Sequence, residues 1–413
     1  MKKAPLVSII IPCYNHARFV AEAIESALGQ THSPVEVIVV DDGSTDDSVR
    51  VISGFSDRVL FLQQENLGPS VARNTGFRVS KGEFIAFLDA DDLYEKNFIA
   101  RLLAVFEQDP ECVAVYCTTR SISEDGQWIP PENRFLFPAP EELYSQLLLH
   151  QFILMQFTLT RRTGYEKAGL FDPQFRNAED WEMLLRIARI GKIVGVPEPL
   201  TRRRVVPGSL SRGIDTRKRH DLCLTVLRKH FGVDESIPER LSPLQRLAYG
   251  HHYLSTAAYY LGGGENRMRA HGLLQRAFTL SPDLIHRLST YFGLFLEEED
   301  PVRDGLGIID TPDALARFLA GVFDAPDTPA EVKGHRDEAM AHLDVTLGLI
   351  CYKTGDPLAA CRFFLSALTR YPHYALIREP ALPPYPSGWD IELVEQLREN
   401  RRLLFPEDTD DPQ

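Results

Sequence analysis

Residues 84–92 read Phe-Ile-Ala-Phe-Leu-Asp-Ala-Asp-Asp, an apolar run that ends abruptly in carboxylates. The apolar part, 84–88, is typical of a buried β-strand. In an open α/β sheet, ligands bind just beyond the carboxyl ends of the strands. Carboxylates crowded there repel one another unless a cation neutralises them, and Mg²⁺ and Mn²⁺ prefer oxygen ligands. The stretch therefore predicts a divalent-cation site, with a solvated turn as the structural alternative.

The composition is that of a folded globular protein with an excess of acidic residues. The chain has 413 residues, of which 44% are hydrophobic and 25% are charged, and its formal net charge is −13 at pH 7. A chain of this length can form two domains. Its acidity argues against nucleic acid as a partner, because phosphate binding needs a basic surface.

The cysteines and the hydrophobic segments bear on the cellular compartment. Six cysteines are scattered, form no C-x-x-C pair and have no histidines spaced for zinc, so we expect reduced thiols in a cytoplasmic protein. The apolar run near the amino terminus is too short for a signal sequence. Polar residues interrupt the most apolar later window, 143–159. The sequence therefore predicts no membrane-spanning helix.

Strands and helices are expected to alternate through the first half of the chain. Apolar runs at 7–11, 35–40 and 84–88 predict three strands, and helical patterns follow them. This alternation is typical of an α/β fold, with a largely parallel sheet covered on both faces. Asn15 is expected to cap the first helix. Polar residues follow the three strands and should meet at one edge of the sheet: Tyr14, Asn15, Asp41, Asp42, Asp89, Asp91 and Asp92.

The polar residues at this edge suggest how a nucleotide could bind. The chain has neither G-x-G-x-x-G nor G-x-x-x-x-G-K-[ST], so no glycine-rich loop is available for phosphates. A diphosphate would instead rest on a cation held by Asp91, with Asp89 assisting. Asp42 could accept a hydrogen bond from the imide N–H of a uracil, and Arg73 offers a guanidinium to a base or a phosphate.

These motifs resemble those of the family 2 glycosyltransferases with the GT-A fold. The matching segments are Pro-Cys-Tyr-Asn at 12–15, Val-Val-Asp-Asp-Gly-Ser-Thr-Asp at 39–46, Ala-Arg-Asn-Thr-Gly at 72–76, the Asp-x-Asp stretch at 84–92, Gly-Leu-Phe-Asp at 169–172 and Ala-Glu-Asp-Trp-Glu at 178–182. They follow the order and spacing of the family over roughly residues 5–215. The resemblance implies a Rossmann-like, mostly parallel sheet flanked by helices, and the rest of the chain predicts an all-α region after it.

The resemblance also implies a role for each matching residue. The residues implied to bind the nucleotide sugar are Pro12, Tyr14, Asp42, Arg73, Asp89 and Ala90. Asp91 would be the principal ligand of Mn²⁺ or Mg²⁺, with Asp89 assisting, and Asp180 would be the general base that removes the proton of the acceptor hydroxyl. The implied reaction is an inverting displacement at the anomeric carbon. As the structural alternative, Asp180 would only cap the helix that follows. We interpret Glu179 as a positioning residue.

The chain departs from the family pattern in two places. Many relatives have a histidine near the metal where this chain has Val206, so phosphates, water or another residue such as His220 would complete the coordination. The Gln-x-x-Arg-Trp signature of processive synthases is absent, which favours single additions. The neighbouring run of arginines at 202–204 either meets a phosphate of the donor or of a lipid-linked acceptor, or is a solvated basic segment.

The second half of the chain is predicted to form a different kind of domain. We expect a catalytic domain at 1–215, a connecting amphipathic helix at 216–240 and a helical domain at 241–413. Helix pairs of tetratricopeptide type are expected at 347–372 and, more weakly, at 257–282, although close packing of two helices explains the same pattern. The connecting helix either lies on an anionic membrane or packs on the first domain. The acidic stretches 297–300 and 407–413 are expected to be solvated.

The sequence therefore predicts a metal-dependent, inverting glycosyltransferase of the hexosyltransferase type. The expected donor is a nucleotide sugar, preferably a UDP-sugar, and the acceptor is a hydroxyl of a glycan, a lipid-linked molecule or a protein in surface-glycan or polysaccharide assembly. The expected location is the cytoplasm, with peripheral membrane contact at its inner face and protein partners or self-association through the helical domain. One alternative is a non-catalytic protein that binds nucleotide sugars and recruits partners. Another is a nucleotidyltransferase, which normally has a glycine-rich basic loop that residues 12–15 do not supply.

Overall fold

The computed structural model describes residues 4–129, 137–206, 216–262, 267–287, 290, 291, 294, 311–353 and 356–371. The acidic stretches 297–300 and 407–413, for which we expect solvation, lie outside these residues, as does the end of the family segment at 207–209.

An eight-stranded sheet runs through the first half of the described chain. Its strands are β1 Val7–Cys13, β2 Val35–Asp41, β3 Leu60–Gln63, β4 Phe84–Phe87, β5 Leu93–Tyr94, β6 Cys112–Ile122, β7 Thr158–Arg161 and β8 Lys192–Arg204. They lie in the order β3-β2-β1-β4-β7-β6-β8-β5. The helices around the sheet are α1 Val20–Leu28, α2 Ser48–Ser53, α3 Pro69–Val79, α4 Phe98–Gln108, α5 Pro140–Leu149, α6 Arg162–Ala168 and α7 Glu179–Ala188.

The sheet is mixed, with a parallel half that contains the predicted strands. Strands β3, β2, β1 and β4 are parallel to their neighbours, and so are β6 and β8. Strand β7 runs antiparallel between β4 and β6, and the short β5 runs antiparallel to β8. The expected α/β architecture is confirmed, and the antiparallel β7 makes the sheet less uniformly parallel than the alternating pattern indicates.

Both faces of the sheet are covered by helices, as the apolar strands require. Successive side chains of a strand point to opposite faces. Ile10 belongs to a core with residues of α3, α5 and α7, whereas Ile9 and Ile11 belong to a second core with residues of α1 and α4. The sheet therefore forms the middle layer of three, and its strand ends remain free to form a site.

Asn15 does not cap the first helix, so that prediction is wrong. Helix α1 begins at Val20, after Phe19, and no side chain caps it. Asn15 has a positive φ of 57°, and its side-chain oxygen accepts a hydrogen bond from the backbone N–H of Thr45 at 2.7 Å. Asparagine tolerates this left-handed conformation better than most residues. Asn15 thus ties the loop after β1 to the loop after β2.

The second half of the described chain is helical. Its helices are α8 Thr216–Phe231, α9 Pro243–Gly262, α10 Arg267–Leu280, α11 Pro312–Asp324, α12 Ala330–Lys333, α13 Arg336–Lys353 and α14 Pro357–Arg370. The expected all-α region is therefore confirmed. Close packing explains the small residues of the α13–α14 pair, because a Cβ on Gly348 would lie 2.6 Å from the ring of Phe364.

Helices α8 and α9 share a core with the first domain. Leu227 of α8 and Tyr249 of α9 are fully buried in the same cluster as Trp181 of α7. The apolar face of α8 is therefore covered by protein, as the packing alternative for the connecting segment expects. None of the helices that the structure describes has the length and hydrophobicity needed to cross a lipid bilayer.

Candidate active site

Three neighbouring parallel strands end at the same edge of the sheet and bring the predicted polar residues together. Tyr14 follows β1, Asp42 follows β2, and Asp89 comes just after β4. Pro12 lies within β1 beside Val40 of β2. The Tyr14 side chain is 43% exposed, so its ring is available to a ligand.

The Asp42 carboxylate is buried and anchors the loop that leads into α3. Its Oδ1 accepts hydrogen bonds from Gln64 Nε2 at 2.6 Å and from the backbone N–H of Leu67 at 3.0 Å. Its Oδ2 accepts one from the backbone N–H of Gly68 at 2.8 Å. A carboxylate has about four acceptor positions. Oδ2 therefore keeps one position for a further donor, such as the N–H of a base.

The two carboxylates of the Asp-x-Asp pair lie side by side and are partly exposed, with the small, buried Ala90 between them. Burial and the negative charge of Asp89 raise the pKa of Asp91. A divalent cation would relieve this repulsion, and oxygen donors are the ligands that Mg²⁺ and Mn²⁺ prefer, so the pair fits such an ion.

The third carboxylate of this stretch, Asp92, is held in place by hydrogen bonds from other parts of the fold. It is buried, its Oδ1 accepts a hydrogen bond from the backbone N–H of Arg204 at 2.8 Å, and its Oδ2 accepts one from Gln156 Nε2 at 3.1 Å. Asp92 therefore fixes the end of β8 against the Asp-x-Asp turn at 89–92, which is the predicted metal-binding turn.

Arg73 connects the metal-binding turn to helix α7. Its Nη2 donates to Asp89 Oδ1 at 2.9 Å and its Nη1 donates to Glu179 Oε1 at 2.6 Å. Its side chain is only 6% exposed. Burial disfavours the charge, but Asp89 and Glu179 outweigh this and raise the pKa of Arg73. These contacts indicate that Arg73 positions Asp89, and its contact with a base or a phosphate stays a prediction.

Asp180 lies in the first turn of α7, next to this network. The helix begins after Ala178, so Asp180 is not its N-cap residue, but Asp180 Oδ1 accepts a hydrogen bond from the backbone N–H of Trp181 in the first turn at 2.8 Å. Its Oδ1 accepts a hydrogen bond from Gln151 Nε2 at 3.0 Å. Burial, followed by the negative charge of Glu179, raises the pKa of Asp180 to about 7, although Arg73 opposes the shift. A carboxylate with this pKa is suited to accept a proton near neutral pH.

Comparison with known proteins finds a family model that is similar to part of this chain. Residues 8–169 match the family model for glycosyl transferase family 2. We name the α/β part of the chain, which contains this match, the glycosyltransferase domain after that similarity. The resemblance found in the sequence motifs is therefore confirmed for this part of the chain.

Two relatives are similar to this chain over the glycosyltransferase domain and differ from it in total length. Chondroitin synthase of Escherichia coli is 35% identical over 194 residues, which are 46% of this chain and 28% of that protein. An uncharacterised glycosyltransferase of Rickettsia typhi is 34% identical over 208 residues, 49% of this chain and 64% of that protein. The chain thus spans less than two thirds of each relative. A mannosyltransferase from Pyrobaculum calidifontis, solved with GDP-Man and Mn²⁺, aligns over 88% of each chain with 19% identity and a TM-score of 0.48, which is too weak a likeness to bear on function.

The three arginines at the end of the glycosyltransferase domain do not act as one basic patch. Arg202 forms an ion pair with Glu95 at 2.7 Å. Arg204 is buried, and its Nε donates to the backbone carbonyl of Asp91 at 3.0 Å. Arg203 is partly buried and lies near Asp92, where it opposes the rise in the pKa of Asp92 that burial, Asp91 and Asp89 cause. Neither the phosphate-binding nor the solvated alternative describes the whole run, and Arg203 is left as the phosphate candidate.

Residues near the glycosyltransferase site include some that sequence reasoning missed or misplaced. His16 lies near Asp91 and partly opposes the rise in the pKa of that carboxyl that burial and Asp89 cause. Its position directly after the segment 12–15 was the available signal. Gln151, which donates a hydrogen bond to Asp180, belongs to no motif that is recognisable in the sequence.

His220, considered as a metal ligand, is hydrogen-bonded through Nδ1 to Thr256 at 2.8 Å. That bond directs the imidazole to helix α9, so a role for His220 at the metal is not supported.

Replacing Arg73 with glutamine should destabilise the glycosyltransferase domain. Removal of one partner of a buried ion pair leaves the other charge uncompensated and costs roughly 3–5 kcal/mol. Here Glu179 and Asp89 would both lose their cation. The free energy of unfolding, measured with urea, tests this. Arg50→Gln is the matched control, because the Arg50–Asp47 pair is exposed and exposed pairs contribute little to stability. Equal losses in the two variants would contradict the assigned role.

Proposed function

We propose that the protein is a metal-dependent, inverting glycosyltransferase that moves a sugar from a nucleotide-sugar donor, a UDP-sugar by preference, to a hydroxyl acceptor. One observation supports this most directly. The pKa of Asp180, about 7, is shifted by the charges of both Arg73 and Asp89, so a proton acceptor lies beside the carboxylates suited to a cation. This juxtaposition occurs in a chain whose residues 8–169 match the family model for glycosyl transferase family 2.

The donor would bind across the ends of β1, β2 and β4. Tyr14 offers an exposed ring to the base, and Asp42 Oδ2 offers its remaining acceptor position to an imide N–H. Asp91 and Asp89 would hold Mn²⁺ or Mg²⁺. When bound, such a cation would supply stabilisation of the negative charge on the diphosphate leaving group.

The acceptor would approach from the side of α7. Asp180 Oδ1 is occupied by Gln151 Nε2 and by the backbone N–H of Trp181, so Oδ2 would take the proton of the acceptor hydroxyl. Arg73, held by Asp89 and Glu179, would keep the base at a constant position relative to the metal-binding turn. Both geometry and pKa then favour nucleophilic attack by the acceptor oxygen.

The product would be part of a polysaccharide or another surface glycan. The basis is the similarity of the glycosyltransferase domain to chondroitin synthase, a name that describes that relative alone. A cytoplasmic location, at or near the inner face of the membrane, agrees with the six free thiols. The acceptor, glycan, lipid-linked or protein, would meet the segment around Gln151.

Titration calorimetry with UDP, GDP and dTDP, each with and without Mn²⁺, tests the proposal. Binding of UDP that requires Mn²⁺ is expected. Manganese-dependent binding of GDP or dTDP instead would correct the donor and retain the mechanism. If no nucleotide bound under any condition, the enzymatic proposal would fail. Tight donor binding without hydrolysis or transfer to any acceptor would favour the non-catalytic alternative.

The rate of transfer should depend on pH through Asp180. Its raised pKa of about 7 means that the carboxyl is protonated, and unable to accept a proton, below that pH. We expect kcat/KM to rise with pH through about 7 and to level off above it. The Asp172→Asn variant should keep this profile, because Asp172 pairs with Lys229 outside the site. A rate that stayed constant well below pH 7 would contradict the assignment of the base.

A further inference from the structure

Three potential metal ligands meet in the helical region, far from the glycosyltransferase site in sequence. His286 follows the short 3₁₀ helix Pro282–Leu284, His335 precedes α13, and Glu338 lies in the first turn of α13. His286 Nδ1 is 2.8 Å from Glu338 Oε1, and His335 Nδ1 is 3.3 Å from Glu338 Oε2. The candidate ligand atoms of all three residues lie within 4.8 Å of one another.

We propose that His286, His335 and Glu338 bind a zinc ion. Two imidazoles and a carboxylate form a donor set that suits Zn²⁺, whereas Mg²⁺ and Mn²⁺ favour oxygen ligands. Zinc–ligand bonds of about 2.0–2.2 Å in a tetrahedron place the ligand atoms about 3.3 Å apart. The imidazole nitrogens of His286 and His335 lie 2.8 and 3.3 Å from Oε1 and Oε2 of Glu338, respectively. Side-chain rotations would have to bring the three ligand atoms, which lie within 4.8 Å of one another, to the tetrahedral spacing.

The surroundings keep the carboxylate in place and the imidazoles accessible. The side chain of Glu338 is 11% exposed, whereas those of His286 and His335 are 41% and 34% exposed. The two imidazole rings are nearly perpendicular, with centroids 4.6 Å apart. An ion could therefore enter from solvent, and water could complete its coordination.

A fourth side chain closes the inner side of the cluster. His342 Nε2 is 3.8 Å from Glu338 Oε1, and the ring of His342 stacks on Tyr291. Oε1 of Glu338 therefore faces both His286 and the buried His342.

The bound ion would join two parts of the helical region that are distant in sequence. Its structural effect would be to fasten the segment after the 3₁₀ helix to the start of α13, a role distinct from catalysis. Zinc ligands can be recognised in a sequence when they lie close together along the chain, whereas these three side chains are brought together only by the fold. The expectation that no histidines are arranged for zinc is therefore replaced by this proposal.

Zinc binding to the full-length protein, without a histidine tag, tests the inference. Titration calorimetry with Zn²⁺ and the zinc dependence of Tm should be measured on the Asp91→Asn variant, which removes the other candidate cation site. His335→Ala and His286→Gln should be compared with His271→Ala, a control in α10 whose imidazole packs on Phe318. Circular dichroism would show that each variant is folded.

Saturable binding of Zn²⁺ and a zinc-dependent rise in Tm are expected in the Asp91→Asn parent and in its His271→Ala derivative. Loss of a ligand should weaken binding by more than the roughly 10–100-fold that loss of an outer-sphere partner costs. The zinc-dependent rise in Tm should also disappear in these variants, because zinc stabilises the folded state only when it binds to that state. Unchanged zinc affinity in both His335→Ala and His286→Gln, or no binding by the parent, would overturn the inference. Neither result would affect the proposed sugar transfer.

Discussion

Replacing Asp180 with asparagine should lower kcat by roughly 10²–10⁴-fold, the usual contribution of a positioned general base. Asparagine keeps an oxygen that can accept the hydrogen bond from Gln151, so the local structure should persist. It lacks the second carboxylate oxygen that would take the proton of the acceptor hydroxyl. The affinity for the donor, measured by calorimetry, should remain that of the wild type, because Asp180 is assigned to the acceptor side.

The control for this variant is a carboxylate close to it in the chain. Asp172 forms an ion pair with Lys229 at 2.7 Å and is assigned no part in transfer. The Asp172→Asn variant should therefore retain kcat. Wild-type turnover in Asp180→Asn would show that another group removes the proton, even if the rest of the site were correct.

Replacing Asp91 with asparagine should abolish manganese-dependent donor binding and lower kcat/KM by roughly 10²–10³-fold, a loss comparable to that of one preorganised electrostatic contact. Stability should respond differently. Burial and the neighbouring Asp89 disfavour the ionised Asp91, as its raised pKa shows. Removal of that charge should therefore leave Tm, measured without metal, equal to or above that of the wild type.

Asp92 supplies the contrasting variant for the same turn. Its carboxylate accepts hydrogen bonds from the backbone N–H of Arg204 and from Gln156, and it is buried. Burial and the charges of Asp91 and Asp89 also raise the pKa of Asp92, which offsets part of the loss. Asp92→Ala should still lower the free energy of unfolding by about 1–3 kcal/mol, because the buried backbone N–H of Arg204 loses its acceptor. If Asp91→Asn kept full manganese-dependent binding, or was destabilised as much as Asp92→Ala, the assignment of Asp91 as a metal ligand would be wrong.

The features predictable from the sequence were those encoded locally. The apolar runs at 7–11, 35–40 and 84–88 identified three strands of the parallel half. Because parallel strands end at a common edge, the pattern of apolar runs was enough to place the polar residues that follow them together. The family motifs then added Asp180, whose position in α7 has no signal in periodicity.

The features that could not be predicted from the sequence depend on contacts between distant segments. A buried arginine such as Arg73 or Arg204 looks the same in sequence as a solvated one, since its partners come from other strands and helices. Asn15 matched a helix cap by residue type, but the chain takes a left-handed turn there and α1 starts later. The direction of β7 is likewise decided by its neighbours, β4 and β6.

The core shared by α7 and α9 determines where the chain can be truncated. Trp181 lies beside Asp180, donates its indole N–H to the carbonyl of Leu147 at 2.6 Å, and packs against His252 of α9 with ring centroids 5.0 Å apart. A chain truncated before Pro243 would expose that indole and remove support from the helix that holds the base. The smallest fragment worth expressing, or grafting onto another protein, therefore extends through α9.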